Sequence, residues 1–369
     1  MQTTIQEKDI KSYSFINKWK ECQSFVAKVK GKKPLFILVI GSTDTALIPG
    51  ISAAGKNTEA LKLTPALDAD FLILKQEEFK EKVPVSPSGV PSPVILSKAV
   101  VDFLGLETLI VDVGAYKKPS CSHIDLNMGP AKCLTSGEAL GPVKNNFLFQ
   151  KGEKLVSKLQ EHDYIIVGEC VPGGTTTALS VLCALGIDAF SLTSSSFPEG
   201  NQFLKNQTVR DALLEHAHLF SEIKKNPLKA CEYFGDPMQP FVTGLIKGAQ
   251  KVNLPVLLAG GSQMLAVYFL SKIILDYSPH DTIIATTSWI TNDKNAKTKR
   301  LAELTSAPLM STKISFLDTQ YDGLKAYEEG HIKEGVGAGG LMVAADLYKN
   351  LNEEQITSEI EKLYSKIVF

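Results

Sequence analysis

The residues best suited to chemistry gather at two glycine-rich places. In the first, Glu169 precedes Pro172, Gly173 and Gly174, and Thr175, Thr176 and Thr177 follow. In the second, Glu334 is followed by Gly335, Gly337, Gly339 and Gly340. Glycines let a backbone come close to an anion, and a helix start presents unpaired N–H groups with partial positive charge. Threonine hydroxyls add donors or cap the helix. The first segment lacks the lysine of a G-x-x-x-x-G-K-[ST] loop and does not match G-x-G-x-x-G. It reads either as a tight turn with a threonine cap or as a phosphate loop. Three threonines are more donors than a turn needs, which favours phosphate. Glu169, at the end of an apolar run, sits where ligands collect in open parallel sheets. Glu334 reads either as a carboxylate held rigidly against a ligand or as an acid at a helix start, stabilised by the dipole.

Further candidates follow other apolar runs. Gly260, Gly261 and Ser262 form a second Gly-Gly turn, and Ser42 and Asp44 follow PLFILVI. The latter pair reads equally as ligands or as caps. Asp112 closes the run TLIVD. Lys205 is either an anion ligand or a surface lysine. The loops at Ser42, Asp112, Glu169, Gly260 and Glu334 are expected to line one cleft at the carboxyl edge of the sheet. The proline-rich stretch after Val83 is either a substrate wall or lid, or a plain connector. The six cysteines form no C-x-x-C pair and read as reduced thiols of a cytoplasmic protein. Cys170 reads as a small filler. No histidine or cysteine grouping suggests a metal site.

These residues need strands and helices in alternation to position them. Apolar runs predict strands at 34–40, 70–74, 108–113, 164–167, 255–258, 282–287 and 314–317. Helices are expected at 150–160, 178–185, around Lys205 and at 264–270. The pattern predicts an α/β fold: a doubly wound, mainly parallel, Rossmann-like three-layer sheet, with a small helical subdomain from the termini. Its parts are an N-terminal helical segment at 1–30, an α/β domain at 31–345, and a C-terminal helix at 346–369 packing with the N-terminal segment. The 369 residues carry a formal net charge of −1, which points to neither nucleic acid nor a membrane surface. No apolar run approaches the ~18 residues of a membrane span. The N-terminus, polar and charged, is unlike a signal peptide.

GECVPGGTTTAL resembles the Glu-x-x-x-Gly-Asn-Thr-Thr-Thr-Ala loop of nicotinate-nucleotide–dimethylbenzimidazole phosphoribosyltransferases of cobalamin assembly. HIKEGVGAGG is similar to their Gly-Glu-Gly-Thr-Gly-Ala segment, and PVLLAGGSQMLAVYFL to their strand–Asp-Gly–helix unit. LIVDVGA resembles another of their strand ends, and GSTDTALIPGISA is weakly similar to their Gly-Asp-His-Gly-Val stretch. The likeness runs in the same order over residues 34–345, and the Gly-Gly-Thr-Thr-Thr version resembles the divergent archaeal and cyanobacterial branch. Two departures stand out. The Pro-Pro-x-Gly-Ser-Leu-Gly segment is missing, and the Asp-His pair is here Thr43-Asp44, in a region that borders the acceptor-base pocket of the family.

The resemblance implies transfer of ribosyl phosphate from nicotinate mononucleotide to a benzimidazole-like or purine base, giving an α-ribazole phosphate and nicotinate. It implies Glu334 as the catalytic base, Glu169 as a second acid, Gly173 to Thr177 as the phosphate loop and Lys205 as a phosphate contact. Small-molecule substrates, a homodimer and no cofactor are likewise implied. The chemistry suits such residues. The pyridinium leaves readily, and a carboxylate must take one N–H proton from the incoming base. The rival readings are a ribosyl transferase for another base, such as adenine or a phenol, and a non-catalytic nucleotide-binding protein. Two acids argue against the last, because a pure binder needs no base.

Overall fold

The computed structural model describes residues 12–75, 78 and 83–368. Eight strands form one sheet: β1 (Tyr13–Asn17), β2 (Leu35–Gly41), β3 (Thr108–Gly114), β4 (Ile124–Asp125), β5 (Ile165–Cys170), β6 (Val256–Ala259), β7 (Thr282–Thr286) and β8 (Leu309–Thr312). Their order is β1-β8-β7-β6-β5-β2-β3-β4. Every neighbouring pair is parallel except β1 with β8. The central strands are continuous apolar runs because helices cover both faces. Alternate residues serve two cores: Ile37, Val39, Ile165 and Val167 face one, and Phe36, Leu38, Ile40 and Ile166 face the other. The result is the expected mainly parallel three-layer sheet. The chain leaves β2 for β3 on one side and later returns to β5 on the other. That reversal opens a crevice beyond the carboxyl ends of β2 and β5, where Glu169 lies.

Three sequence expectations are corrected. Residues 70–74 are not a strand; they end the helix Thr58–Ile73. Asn57 caps it by accepting from the Ala60 N–H at 2.9 Å, and Leu61, Pro65, Asp68 and Leu72 are buried along one face. The five-residue apolar run is the last turn and a half of a longer helical period, which a short window cannot show. The final strand is β8 at 309–312 and not 314–317. Phe316 instead stacks on Trp289, ring centres 5.5 Å apart. The N-terminal segment is not wholly helical. Tyr13–Asn17 pairs antiparallel with β8, and a left-handed Lys18 (φ 53°) separates it from the helix Trp19–Val29. Alternation in Tyr-Ser-Phe-Ile is the strand signal that was overlooked. The part of that segment before Ser12 lies outside the described residues.

Helices Trp19–Val29, Thr58–Ile73, Val94–Leu104, Ala338–Lys349 and Glu353–Val368 cover one face. Glu353–Val368 packs against Val94–Leu104. The helix Ala338–Lys349 runs without a break through the expected boundary at residue 345, with Met342 to Leu347 all buried. Gly339 matters for this seat. A Cβ there would strike the Thr286 backbone and lie 2.5 Å from the Glu334 carboxylate, so only glycine lets the helix start sit on the end of β7.

Candidate active site

Glu334 precedes the helix Ala338–Lys349, and its carboxylate is held by four donors. Oε2 accepts from Thr286 Oγ1 and the Thr287 N–H, each at 2.9 Å. Oε1 accepts from the Gly335 and Gly339 N–H groups, each at 3.1 Å. Burial pushes its pKa upward, and the four donors oppose that rise. The Glu169 side chain accepts from the Val171 N–H at 2.8 Å. Burial, then the charges of Asp236 and Glu334, push Glu169 up to about 8. Both acids line a single cavity of about 110 Å³, open at its mouth.

The turn Val171–Thr177 forms another wall. The Gly174 N–H donates to the Val171 carbonyl at 2.9 Å, and those of Thr176 and Thr177 to Gly173 at 2.9 and 3.3 Å. This leaves the Gly173 and Thr175 N–H groups without partners among the described residues. Thr175 lies on the cavity wall, at the start of the helix Gly174–Ala184. Thr176 and Thr177 do not: helical rotation turns both into the protein, where they are fully buried. The Thr177 hydroxyl donates to Asp236 Oδ2 at 2.5 Å, and Thr176 Oγ1 has no partner among the described residues.

Asp236 is a site-supporting acid that sequence reasoning missed. Its Oδ2 also accepts from Gln263 Nε2 at 2.6 Å, and Oδ1 from the Met238 N–H at 3.0 Å. Gln239 closes the ring, donating to Gln263 at 2.8 Å and accepting from the Asp236 N–H at 3.1 Å. Burial pushes this carboxyl upward while its donors pull it back. Gly174 sits directly over the ring, since a Cβ there would lie 2.5 Å from Gln263 Nε2. The run Gly-Asp-Pro-Met-Gln was the signal, an acid placed to cap the helix Met238–Val252.

Lys205 is neither a surface lysine nor a wall residue. It is fully buried, donating to Thr193 Oγ1 at 3.0 Å and the Ser194 carbonyl at 2.5 Å. Burial, with the nearby Lys333 charge, pushes it down to about 7. Lys333 donates to the Ser195 carbonyl at 3.0 Å and pairs with Asp293 at 3.0 Å. The two lysines brace the loop 193–197 from behind, and its Ser196 reaches the wall. Ser262 supports the same loop, accepting from the Ser194 N–H at 2.9 Å.

Other expected wall residues lie elsewhere. Gly260 and Gly261 shape the turn that carries Ser262 and do not reach the cavity. Ser42 accepts from the Tyr116 N–H at 3.3 Å, and Asp44 accepts from the Tyr116 hydroxyl. Asp112 brackets the end of β3, accepting from the Gly114 and Ala115 N–H groups at 2.8 Å each. Ser42 and Asp44 tie the end of β2 to Tyr116, just beyond β3, Asp112 holds the end of β3 itself, and none of the three lies on the cavity wall. The same loop reaches the cavity further on, through Ile51, Ser52 and Ala54.

Gly335 and the proline-rich segment complete the wall. Pro84, Val85, Ser86, Ser92 and Pro93 line the cavity. The Ser92 N–H donates to the Pro84 carbonyl at 2.8 Å, closing the segment on itself. Asp68, on the helix Thr58–Ile73, joins this wall and accepts from Ser92 Oγ at 2.9 Å and Cys170 Sγ at 3.3 Å. Burial raises Asp68 to about 7 and the Cys170 thiol well above its ordinary range, so Cys170 is a protonated donor and not a nucleophile. Among the described residues no group of three or more His, Cys, Asp or Glu is placed to hold a metal ion. No described helix is long and apolar enough to cross a membrane.

Comparisons with known proteins bear on the family and the fold. A family model described as a phosphoribosyltransferase matches residues 98–316. A UPF0284 protein of Trichodesmium erythraeum is 38% identical, covering 94% of this chain and 96% of the relative. Another, of Synechocystis, is 41% identical over 90% of this chain and 91% of its own length. The solved structure of the nicotinate-nucleotide–dimethylbenzimidazole phosphoribosyltransferase of Thermus thermophilus shares the fold, with a TM-score of 0.58 at 15% identity, covering 89% of this chain and 87% of that one. By the family match, the chain belongs to the phosphoribosyltransferases.

Proposed function

We propose that the chain transfers ribosyl phosphate from nicotinate mononucleotide to a benzimidazole-like or purine base, yielding an α-ribazole phosphate and nicotinate for the lower ligand of a cobamide. The observation that carries this reading is the pairing of Glu169 and Glu334 in one cavity with the unpartnered N–H groups of Gly173 and Thr175. Those N–H groups, at a helix start, suit the phosphate of the donor. Anchoring that remote phosphate supplies binding energy that orients the reacting carbon.

The bond from the ribosyl carbon to the pyridinium nitrogen breaks, and its electron pair neutralises the ring, which leaves as nicotinate. The acceptor's lone-pair ring nitrogen forms the new bond, and the proton on its other ring nitrogen passes to Glu334, leaving the product ring neutral. Of the four donors on Glu334, only the Thr286 hydroxyl can rotate to accept instead of donate. It therefore accommodates a proton arriving on Oε2. Glu169 is the second acid, its carboxyl pushed up to about 8 by burial and by the Asp236 and Glu334 charges.

Incubation with nicotinate mononucleotide and a panel of bases tests the reading. Nicotinate release together with a ribosylated product of matching mass is the expected result, and binding without release across the panel would overturn it. The homodimer implied by the resemblance belongs to the same reading and is tested by light scattering.

A further inference from the structure

The cavity wall includes a residue with an unpartnered polar atom among the described residues. Asp68 is 1% exposed, yet it belongs to the cavity wall. Its Oδ2 takes both available donors, Ser92 Oγ and Cys170 Sγ. Its Oδ1 has none among the described residues. A buried carboxylate oxygen left unpaired is costly and uncommon, and such an atom on a ligand cavity marks a contact that the ligand completes.

The position of Asp68 indicates which ligand. Cys170 is adjacent to Glu169 in β5, and Ser92 is adjacent to Pro93, which touches Gly335 beside Glu334. Asp68 therefore borders the two acids. In its ionised form Asp68 would repel a phosphate, so it belongs with the acceptor. Around it, Val85, Pro93, Ile332 and Val336 offer apolar surface suited to a flat ring.

We propose that Asp68 is a specificity-determining residue that selects an acceptor base bearing an N–H or O–H donor beyond its reacting azole nitrogens. The proposal rests on the phosphoribosyl-transfer reading above. A purely hydrocarbon-substituted benzimidazole would leave Oδ1 unpaired, and a site built around a substrate donor discriminates strongly against the analogue lacking it.

The test compares benzimidazoles substituted with hydroxyl at the 4- or 5-position against their methyl and methoxy counterparts, with saturating nicotinate mononucleotide and nicotinate release as the readout. Methyl matches the hydroxyl in size, and methoxy keeps the oxygen without its proton. The expected result for the wild type is a kcat/KM at least about tenfold higher for one hydroxyl acceptor than for both counterparts, about what one satisfied buried hydrogen bond supplies. In Asp68→Ala that ratio should fall toward one. Nicotinate release at equal kcat/KM for all three substituents overturns the proposal while the transferase reading stands. So does a wild-type preference unmoved in a folded Asp68→Ala. If that variant does not fold, the wild-type hydroxyl-to-methoxy ratio decides alone. Absence of release with every acceptor overturns the transferase reading and this proposal with it.

Discussion

The Val336 N–H donates to the Glu169 carbonyl at 3.0 Å. This bond ties the end of β5 to the loop that carries Glu334, two residues away. It fixes the spacing of two acids that lie 165 positions apart in sequence. Across this spacing the Glu334 charge adds to the burial and the Asp236 charge that push the Glu169 carboxyl upward.

Glu334→Gln should lower kcat with an azole acceptor by ~10²–10⁴-fold, the usual loss when a general base is removed. Affinity for nicotinate mononucleotide should stay close to wild type, because the turn at Gly173–Thr175 is untouched. Steady-state kinetics and donor titration check both. An acceptor that is already an anion, such as a phenolate, should be less sensitive.

Thr286→Val should remove the one donor on Glu334 that can turn around. Glu334 then loses a hydrogen bond to its charged form, and its pKa rises. The acid limb of the kcat profile should move to higher pH while the donor KM changes little. A pH–rate series on the variant and wild type measures this.

Thr175→Val and Thr176→Val should separate the two faces of the turn. The first deletes a cavity-facing hydroxyl and should raise the donor KM by roughly tenfold, the worth of a hydrogen bond to a charged group. The second replaces a buried hydroxyl that has no partner among the described residues, so the KM should hold and the melting temperature should not fall.

Glu169→Gln should stabilise the protein, and more so in alkali. The Glu169 carboxyl rises from 4.5 to about 8 on folding, so the folded state holds the extra proton between those values. Stability from this group is fully present below about 4.5 and is lost as pH rises through about 8. The gap in unfolding free energy between variant and wild type should widen from pH 5 to pH 9, as chemical denaturation at the two pH values would show.

The core of the site was legible because its signals are local. Glu169 with its glycines, and Glu334 with its own, each occupy a few consecutive residues at the end of an apolar run. The sheet was legible for the same reason, since buried parallel strands are short continuous apolar runs. What stayed hidden depends on partners far away in sequence. Whether Ser42 or Asp112 faces a ligand or a neighbouring loop is decided by Tyr116 and by the backbone at Gly114, which no spacing within β2 reveals. Asp68 was hidden because the end of its helix was read as a strand, and a strand would not have carried it to the cavity. Lys205 is buried by loop 193–197, a fact absent from its own helix.

The segment from Pro84 to Pro93 makes much of the base-side wall, yet its own hydrogen bonds close it like a staple on the body of the protein. The donor turn and both acids reside on other elements. The wall is thus a replaceable cassette. Under the proposed reaction, swapping it between relatives is expected to change which ring is accommodated and to leave the acids and the glycine turn in place, so that new acceptor ranges can arise by exchange of about ten consecutive residues.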